Sequence, residues 1–393
     1  MVNQEQIASL LPVYNRTDIV MVRGNGAYLF DEAGKQYLDF ASGIAVNSLG
    51  HCHPHLVESL TKQAQELWHC SNLYRTPGLE KFAERITNHT FADKVFMTNS
   101  GTEAVECGIK MIRRFHYANG TPRPRIITVT GSFHGRTLAC ISAGRSPKAV
   151  EGYEPLLEGF DQVPFGDLEA ARAAVTPQTG GIMLETIQGE GGIRPQGMEY
   201  LQGLRKLADE HGLLLFLDEV QCGIGRTGRM FAFEHYGITP DICSIAKGIG
   251  GGFPVGGCLA TAHAAKGMTP GSHGGTYGGN PLATSVANAV LDVMLKDGFM
   301  ECVQKVGDQL KDALQRTMND FPHVIEEIRG MGLMLGVKTK PRATEIVARL
   351  RERGLLTVAL ASDNIIRFLP PLIITQSHVE EAVRILRDVI ANS

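Results

Sequence analysis

Through the middle of the chain, short apolar runs alternate with stretches whose apolar residues fall at helical spacing. Residues 95–97, 126–129, 181–184, 213–217 and 242–245 are such runs, each bounded by turn-forming or polar residues, and they predict buried strands. Leu56, Val57, Leu60, Ala64 and Leu67 share one side of a helix from residue 54 to about 67. A second helix is predicted over 78–87, and a third after Thr102, with Val105, Ile109, Ile112 and His116 on one face. Alternation over 27–40, with turn residues at 32–34, predicts a hairpin. A long helix from 281 to about 295 leads into a part where short strands and helices alternate from about residue 321. Ser377-His378-Val379-Glu380 has the form of a capping box opening the last helix, with Val379, Val383, Leu386 and Ile390 turned inward. The pattern as a whole is α/β.

Polar residues gather where the apolar runs stop. The run 213–217 ends in Asp218-Glu219, and the run 242–245 leads to Lys247 and then Gly248, Gly250, Gly251 and Gly252. Open α/β sheets bind ligands at the carboxyl ends of their strands. An amine and a carboxylate projecting from neighbouring strand ends into one cavity are the two groups that pyridoxal phosphate chemistry needs. The amine forms a Schiff base, and the carboxylate keeps the pyridine nitrogen protonated. The run 95–97 breaks at Thr98-Asn99-Ser100-Gly101-Thr102 before a helix. The free N–H groups and positive dipole end of such a helix suit a phosphate, although an ordinary helix cap would look the same in sequence.

Three other patterns point elsewhere and fail on context. Gly223-Ile224-Gly225-Arg226-Thr227-Gly228 fits a dinucleotide fingerprint, but residues 218–222 separate it from the strand it should follow. Ser244-Ile245-Ala246-Lys247 and Ser362-Asp363-Asn364 resemble two elements of a serine acyl-transfer enzyme, and the third is missing. His51-Cys52-His53-Pro54-His55 looks like a metal cluster, but Gly50 and Pro54 make it a turn and no partner set follows at zinc spacing.

Composition narrows the class. The 393 residues, 43% of them hydrophobic, suffice for a large core and more than one domain. A formal charge of −3 with no basic face argues against a nucleic-acid partner. The 45 glycines cluster beside polar residues, which suggests tight turns and close backbone approach to a ligand. Eight scattered cysteines without a C-x-x-C, several inside apolar runs, fit a reducing compartment. No run of ~18 apolar residues predicts a membrane span. Residues 1–11 carry Glu5 and no basic residue, unlike a signal or transit peptide. The expectation is a cytoplasmic protein.

Taken together, Asp218-Glu219-Val220-Gln221, Gly225-Arg226-Thr227-Gly228 and Lys247-Gly248 before a glycine cluster resemble the class III, fold-type I, PLP-dependent aminotransferases. The resemblance extends from about residue 10 to the C-terminus. It implies a large α/β domain with a mostly parallel central sheet (56–295) and a smaller α/β domain (296–393) joined by the N-terminal segment 1–55. The cofactor it implies is pyridoxal 5′-phosphate, held covalently by Lys247, with Asp218 on the pyridine nitrogen and Gln221 near the ring oxygen. Glu219 and Val220 are expected beside it, and the Gly43-Ile44 region is expected to line the cavity. Ser100, Gly101 and Thr102 would hold the phosphate, and Phe133 of Phe133-His134-Gly135-Arg136 would stack on the ring. Arg136 would grip the donor's α-carboxylate. Arg367 would be the second carboxylate-binding arginine, covered or released by Glu190. Thr276 and Gly275 belong to a loop that crosses to the neighbouring subunit in this family, which implies a homodimer. The chain departs from the family pattern at Thr186, where proline is usual, and at Gly275, where a hydroxyl residue is usual. The implied reaction moves the distal amine of N2-acetyl-L-ornithine to 2-oxoglutarate by a ping-pong route. Succinylornithine, ornithine, N-succinyl-diaminopimelate and 4-aminobutyrate are alternative donors, and a racemase or aminomutase on the same fold is a further alternative. No metal is expected.

Overall fold

A computed structural model describes residues 9–360 and 362–391; residues 1–8 of the N-terminal segment lie outside it. Its centre is a seven-stranded sheet in the order Lys94–Thr98, Gly256–Ala260, Ile242–Ile245, Leu214–Asp218, Thr179–Glu185, Arg125–Val129, Phe160–Val163. Strand pairs from Ile242–Ile245 to Phe160–Val163 are parallel, and Gly256–Ala260 runs antiparallel to both its neighbours. The predicted runs are apolar throughout because helices cover both faces of such a sheet. Leu214–Asp218 sits fourth of the seven and is buried along its whole length.

Two smaller sheets flank this one. Ile325–Met331, Met334–Thr339, Ile365–Phe368 and Val358–Leu360 form an antiparallel sheet in that order. Met21–Asn25, Tyr28–Asp31 and Gln36–Asp39 form an antiparallel meander that ends on Leu355–Leu356, so distant parts of the chain share one sheet. The predicted hairpin over 27–40 is present. One apolar cluster runs from Ala27 and Leu38 through Leu215 and Leu217 to Leu335 and Leu386, welding the sheets together.

The helices follow the predicted periodicity with shifted ends. Pro54–Ala64 stops short of Leu67, and of the expected face only Leu56 is buried; Val57 and Leu67 are exposed. Val105, Ile109, Ile112 and His116 are all buried on Gly101–Ala118, and His116 Nε2 reaches the Gly180 carbonyl at 2.8 Å. The last helix, Gln376–Ile390, is opened by Thr375 rather than by Ser377. The Thr375 N–H donates to His378 Nδ1 at 3.0 Å, so the box is set two residues earlier than the Ser-x-x-Glu pattern suggests. Val379, Val383, Leu386 and Ile390 do face inward.

Arg226 ties the central loop to the C-terminal sheet. It is buried, and its Nη1 donates to the Leu333 carbonyl at 3.1 Å and the Pro370 carbonyl at 2.5 Å. Burial pulls its guanidinium pKa down to about 9. The Gly223–Gly228 segment is thus a turn packed on other backbone, not the opening of a nucleotide-binding helix. The histidine turn also disperses: His51 Nε2 lies 2.7 Å from Asp39, and His55 Nε2 lies 2.9 Å from Asp292. Among the described residues no group of three His, Cys, Asp or Glu side chains is arranged to hold a metal.

Candidate active site

Parallel register brings three strand ends to one edge. Asp218 stands opposite Glu185 on one side and Ser244 on the other. Lys247 follows three residues after Ser244, at the first position of a single 3-10 turn and with φ +46°. That left-handed conformation is unfavourable for a residue with a side chain and persists only where its surroundings enforce it. A cavity of about 380 Å³ opens here, lined by Asp218, Val220, Gln221 and Lys247 together with Ser100–Thr102, Phe133–Arg136 and Glu185.

The Asp218 carboxylate is buried and fully engaged. His134 Nδ1 lies 2.7 Å from one oxygen, the Ser244 hydroxyl donates to the other at 2.8 Å, and the Val220 N–H donates to it at 3.1 Å. Burial opposes the charge on His134, but the hydrogen bond and attraction of Asp218 raise its pKa above the ordinary histidine value. Neither His134 nor Ser244 is singled out by sequence spacing. Ser244 figures there only in a rejected motif, and His134 only as a letter between Phe133 and Gly135. Lys247 is half-buried. Burial lowers its pKa; Glu190, Glu185 and Asp218 pull it up, and Arg367 pulls it down.

The helix Gly101–Ala118 points its N-terminus at the cavity, with Ser100 as N-cap and the Asn99 N–H held by Glu103 at 2.6 Å. Two glycines let this corner close. A Cβ on Gly101 would stand 2.7 Å from Val220, and one on Gly135 would overlap the Thr102 hydroxyl at 1.6 Å. Gly135 also has φ +127°. The half-buried Phe133 ring lies on the wall with the Arg136 guanidinium 5.6 Å from its centre. Gln221 is buried, and its Oε1 has no hydrogen-bond partner.

Arg367 is 2% exposed and pairs with Glu190, which reaches it from the turn after Ile187–Gln188. The two residues expected to work together are therefore in contact across 177 positions of sequence.

Two expectations change. Glu219 does not line the cavity. Its carboxylate faces the far side of the strand end, where it receives the Thr186 hydroxyl at 2.5 Å, the Ala232 and Phe233 N–H groups at 2.9 and 3.1 Å, and the Cys222 thiol at 3.4 Å. Adjacent strand residues point to opposite faces, so Asp218 and Glu219 cannot share one site. The Thr186 departure thus places a hydroxyl on Glu219. Gly275 and Thr276, which the resemblance assigns to the neighbouring subunit's site, are on an exposed loop of their own chain, where Asn72 donates to the Gly275 and Gly278 carbonyls at 3.1 Å. Gly43 and Ile44 do not line the cavity either. They form one left-handed turn with Ser42 and Ala45, and Val46, the next residue, is the one at the wall.

This fold and strand-edge site are those of a transferase of amino groups. Residues 12–390 match the family model for class-III aminotransferases, and the chain belongs to that family. It is 56% identical to acetylornithine aminotransferase of Agrobacterium fabrum over 96% of this chain and 95% of that protein. Against the protein of the same name from Caldanaerobacter subterraneus it is 48% identical over 97% of each. Among solved structures, N-acetylornithine aminotransferase of Stenotrophomonas maltophilia superposes with a TM-score of 0.84 at 36% identity, covering 96% of this chain and 97% of that one. Ornithine aminotransferase of Toxoplasma gondii, in a structure with partial occupancy of PLP at its active site, superposes at 0.94 with 29% identity, covering 99% and 93%. Among the described residues no helix is long and apolar enough to cross a membrane.

Proposed function

We propose that the chain transfers the distal amino group of N2-acetyl-L-ornithine to 2-oxoglutarate, giving N-acetyl-L-glutamate 5-semialdehyde and L-glutamate, with pyridoxal 5′-phosphate as cofactor. Such a reaction belongs to arginine biosynthesis. The observation that carries the cofactor reading is the convergence of Lys247, Asp218 and the Ser100–Thr102 helix end on one cavity of about 380 Å³. The residues fit the group. The helix end offers N–H donors to a phosphate, Asp218 brings a buried carboxylate to the cavity wall, and Gly101 and Gly135 leave no space for a Cβ. When bound, the cofactor supplies an aldehyde that takes up the amine and a pyridinium ring that accepts electrons from the substrate carbon.

The chain's own residues do the rest. Lys247 would hold the cofactor through its amine, and the same amine is placed to serve as general base and acid at the substrate carbon. Asp218 would keep the ring nitrogen protonated, and His134 and Ser244 hold Asp218 in one orientation. Gln221 would donate its amide N–H to the ring oxygen, while Phe133 and Val220 line the cavity that would take the ring. Ser100, Gly101 and Thr102 take the phosphate. Arg136 grips the donor's α-carboxylate, for which a guanidinium fork is geometrically suited. Glu190 covers Arg367 while the donor is bound and releases it to the second carboxylate of 2-oxoglutarate or glutamate.

A homodimer with shared sites is part of this reading. Trp68, Leu73, Tyr74 and Tyr277 are exposed around the loop that bears Gly275 and Thr276. An apolar patch of this kind beside a loop expected in a partner's site supports an interface. Domain boundaries near residues 55 and 295, with 1–55 and 296–393 forming the smaller unit, are supported by the sheet that joins 21–39 to 355–356. Eight free cysteines support a reducing, cytoplasmic setting. The likeness to ornithine aminotransferases favours ornithine as the second donor to consider.

The deciding experiment supplies a panel of ω-amino donors with 2-oxoglutarate and follows glutamate formed. Acetylornithine should give the highest kcat/KM; faster turnover of free ornithine would transfer the assignment to it. Glu190→Gln should narrow the difference in kcat/KM between donor and glutamate, and unchanged values with both would remove the gate.

A further inference from the structure

One cavity-lining carboxyl has no part in the reading above. Glu185 is buried at the end of Thr179–Glu185, opposite Asp218, and among the described residues it makes no ion pair. Its two oxygens serve two different loops. One receives the Phe133 N–H at 2.8 Å, and the other receives the Gly189 N–H at 3.1 Å. Phe133 belongs to the loop after Arg125–Val129, and Gly189 immediately precedes Glu190. Only a carboxylate brings two acceptor oxygens and no donor to such a place.

The group is costly to keep there. Burial pushes its pKa up to about 7, against the pull of His134 and the two N–H groups, while Asp218 adds to the rise. A buried carboxyl that makes no direct ion pair is retained only where its hydrogen bonds matter. The two loops do not depend on it to meet. Gln188 Nε2 donates to the Thr130 carbonyl at 2.9 Å and to the Ser132 hydroxyl at 3.2 Å, and a Cβ on Gly191 would stand 2.6 Å from the Gly131 carbonyl. What Glu185 adds is the register of the two loops at their cavity ends.

We propose that Glu185 is a positioning residue that fixes the Phe133 ring and the Glu190 carboxylate relative to each other, one carboxyl oxygen for each. This rests on the reading of Glu190 as the cover of Arg367. The turn from Gly189 to Gly192 has glycine at three of its four positions, so without the tether Glu190 has several ways to stand.

The test uses Glu185→Gln and Glu185→Asp in the holoenzyme, with Glu190→Gln alongside. Glutamine keeps the length but turns an N–H₂ toward one backbone donor. Aspartate keeps the charge but is too short to reach both. Both should lower kcat/KM for the donor relative to glutamate by roughly ten- to hundredfold, the size of one lost hydrogen bond to a charged group. Hydrogen exchange of the cofactor-free protein should quicken at residues 131–136 and 187–192 in both. An aspartate variant that matches wild type in both readouts would show that charge acts rather than two-point contact, and would overturn the proposal. So would faster exchange with an unchanged ratio, which is all a structural tether requires. A ratio altered in Glu190→Gln but in neither Glu185 variant overturns the proposal alone, whereas an unaltered ratio in Glu190→Gln overturns the gate on which it rests.

Discussion

At Lys247 the surroundings act in opposite senses. Burial disfavours the ammonium and Arg367 repels it, while Glu190, Glu185 and Asp218 attract it, and the net effect is a lowered pKa. A lysine with a lowered pKa reaches its neutral, nucleophilic form at a lower pH than an ordinary lysine. The rate at which the cofactor-free protein forms a borohydride-trappable adduct with pyridoxal phosphate at Lys247 should therefore rise with pH and level off below the ordinary lysine range. A midpoint at or above that range, or an adduct mapped to another lysine, would contradict this. Asp218 and Lys247 were legible in the sequence because each ends an apolar run. His134 was not, because its hydrogen bond to Asp218 spans 84 positions and leaves no local pattern.

At the scale of elements, alternation of side chains along a strand decides which of two adjacent acids faces the cavity. Asp218 does, and Glu219 takes four donors on the opposite side, anchoring the start of Ala232–Tyr236 to the strand end. Glu219→Gln would oppose one of those donors with its own N–H₂ and should cost about 1–3 kcal/mol in denaturant unfolding, with cofactor uptake retained. Burial raises the Glu219 pKa to about 7. A carboxyl whose folded pKa is raised contributes stability that is whole below the ordinary carboxylate range and is lost as pH rises through about 7. The gap between wild type and Glu219→Gln should thus be widest in acid and narrow above neutrality; a gap that widens with pH would show that the four donors outweigh burial. The cap of the last helix has a similar moral. Ser377-x-x-Glu380 and Thr375-x-x-His378 both have a hydroxyl at the first position, and the folded chain uses the earlier one.

For the whole molecule, the exposed apolar side chains are the informative feature. Leu73 is 86% exposed and Trp68 62%, and contiguous exposed apolar surface marks interaction sites. If the proposed homodimer forms through this surface, Leu73→Asp or Trp68→Asp should shift sedimentation toward the monomer and reduce transamination at least tenfold, which is about 1.4 kcal/mol or more of lost transition-state stabilisation. Since neither residue lines the cavity, full activity in a clean monomer would end the shared-site reading.

By itself, the sequence determined the α/β class, the places where strands stop, and the candidate amine, carboxylate and helix end. Hydrophobic periodicity and glycine placement are local, and local order in the chain records them. Tertiary structure alone decided that Glu219 faces away while Glu185 faces in, and that His134 and Ser244 converge on Asp218. Those outcomes depend on register between strands and on contacts between residues far apart in sequence, and neither leaves a mark on the residues at either end.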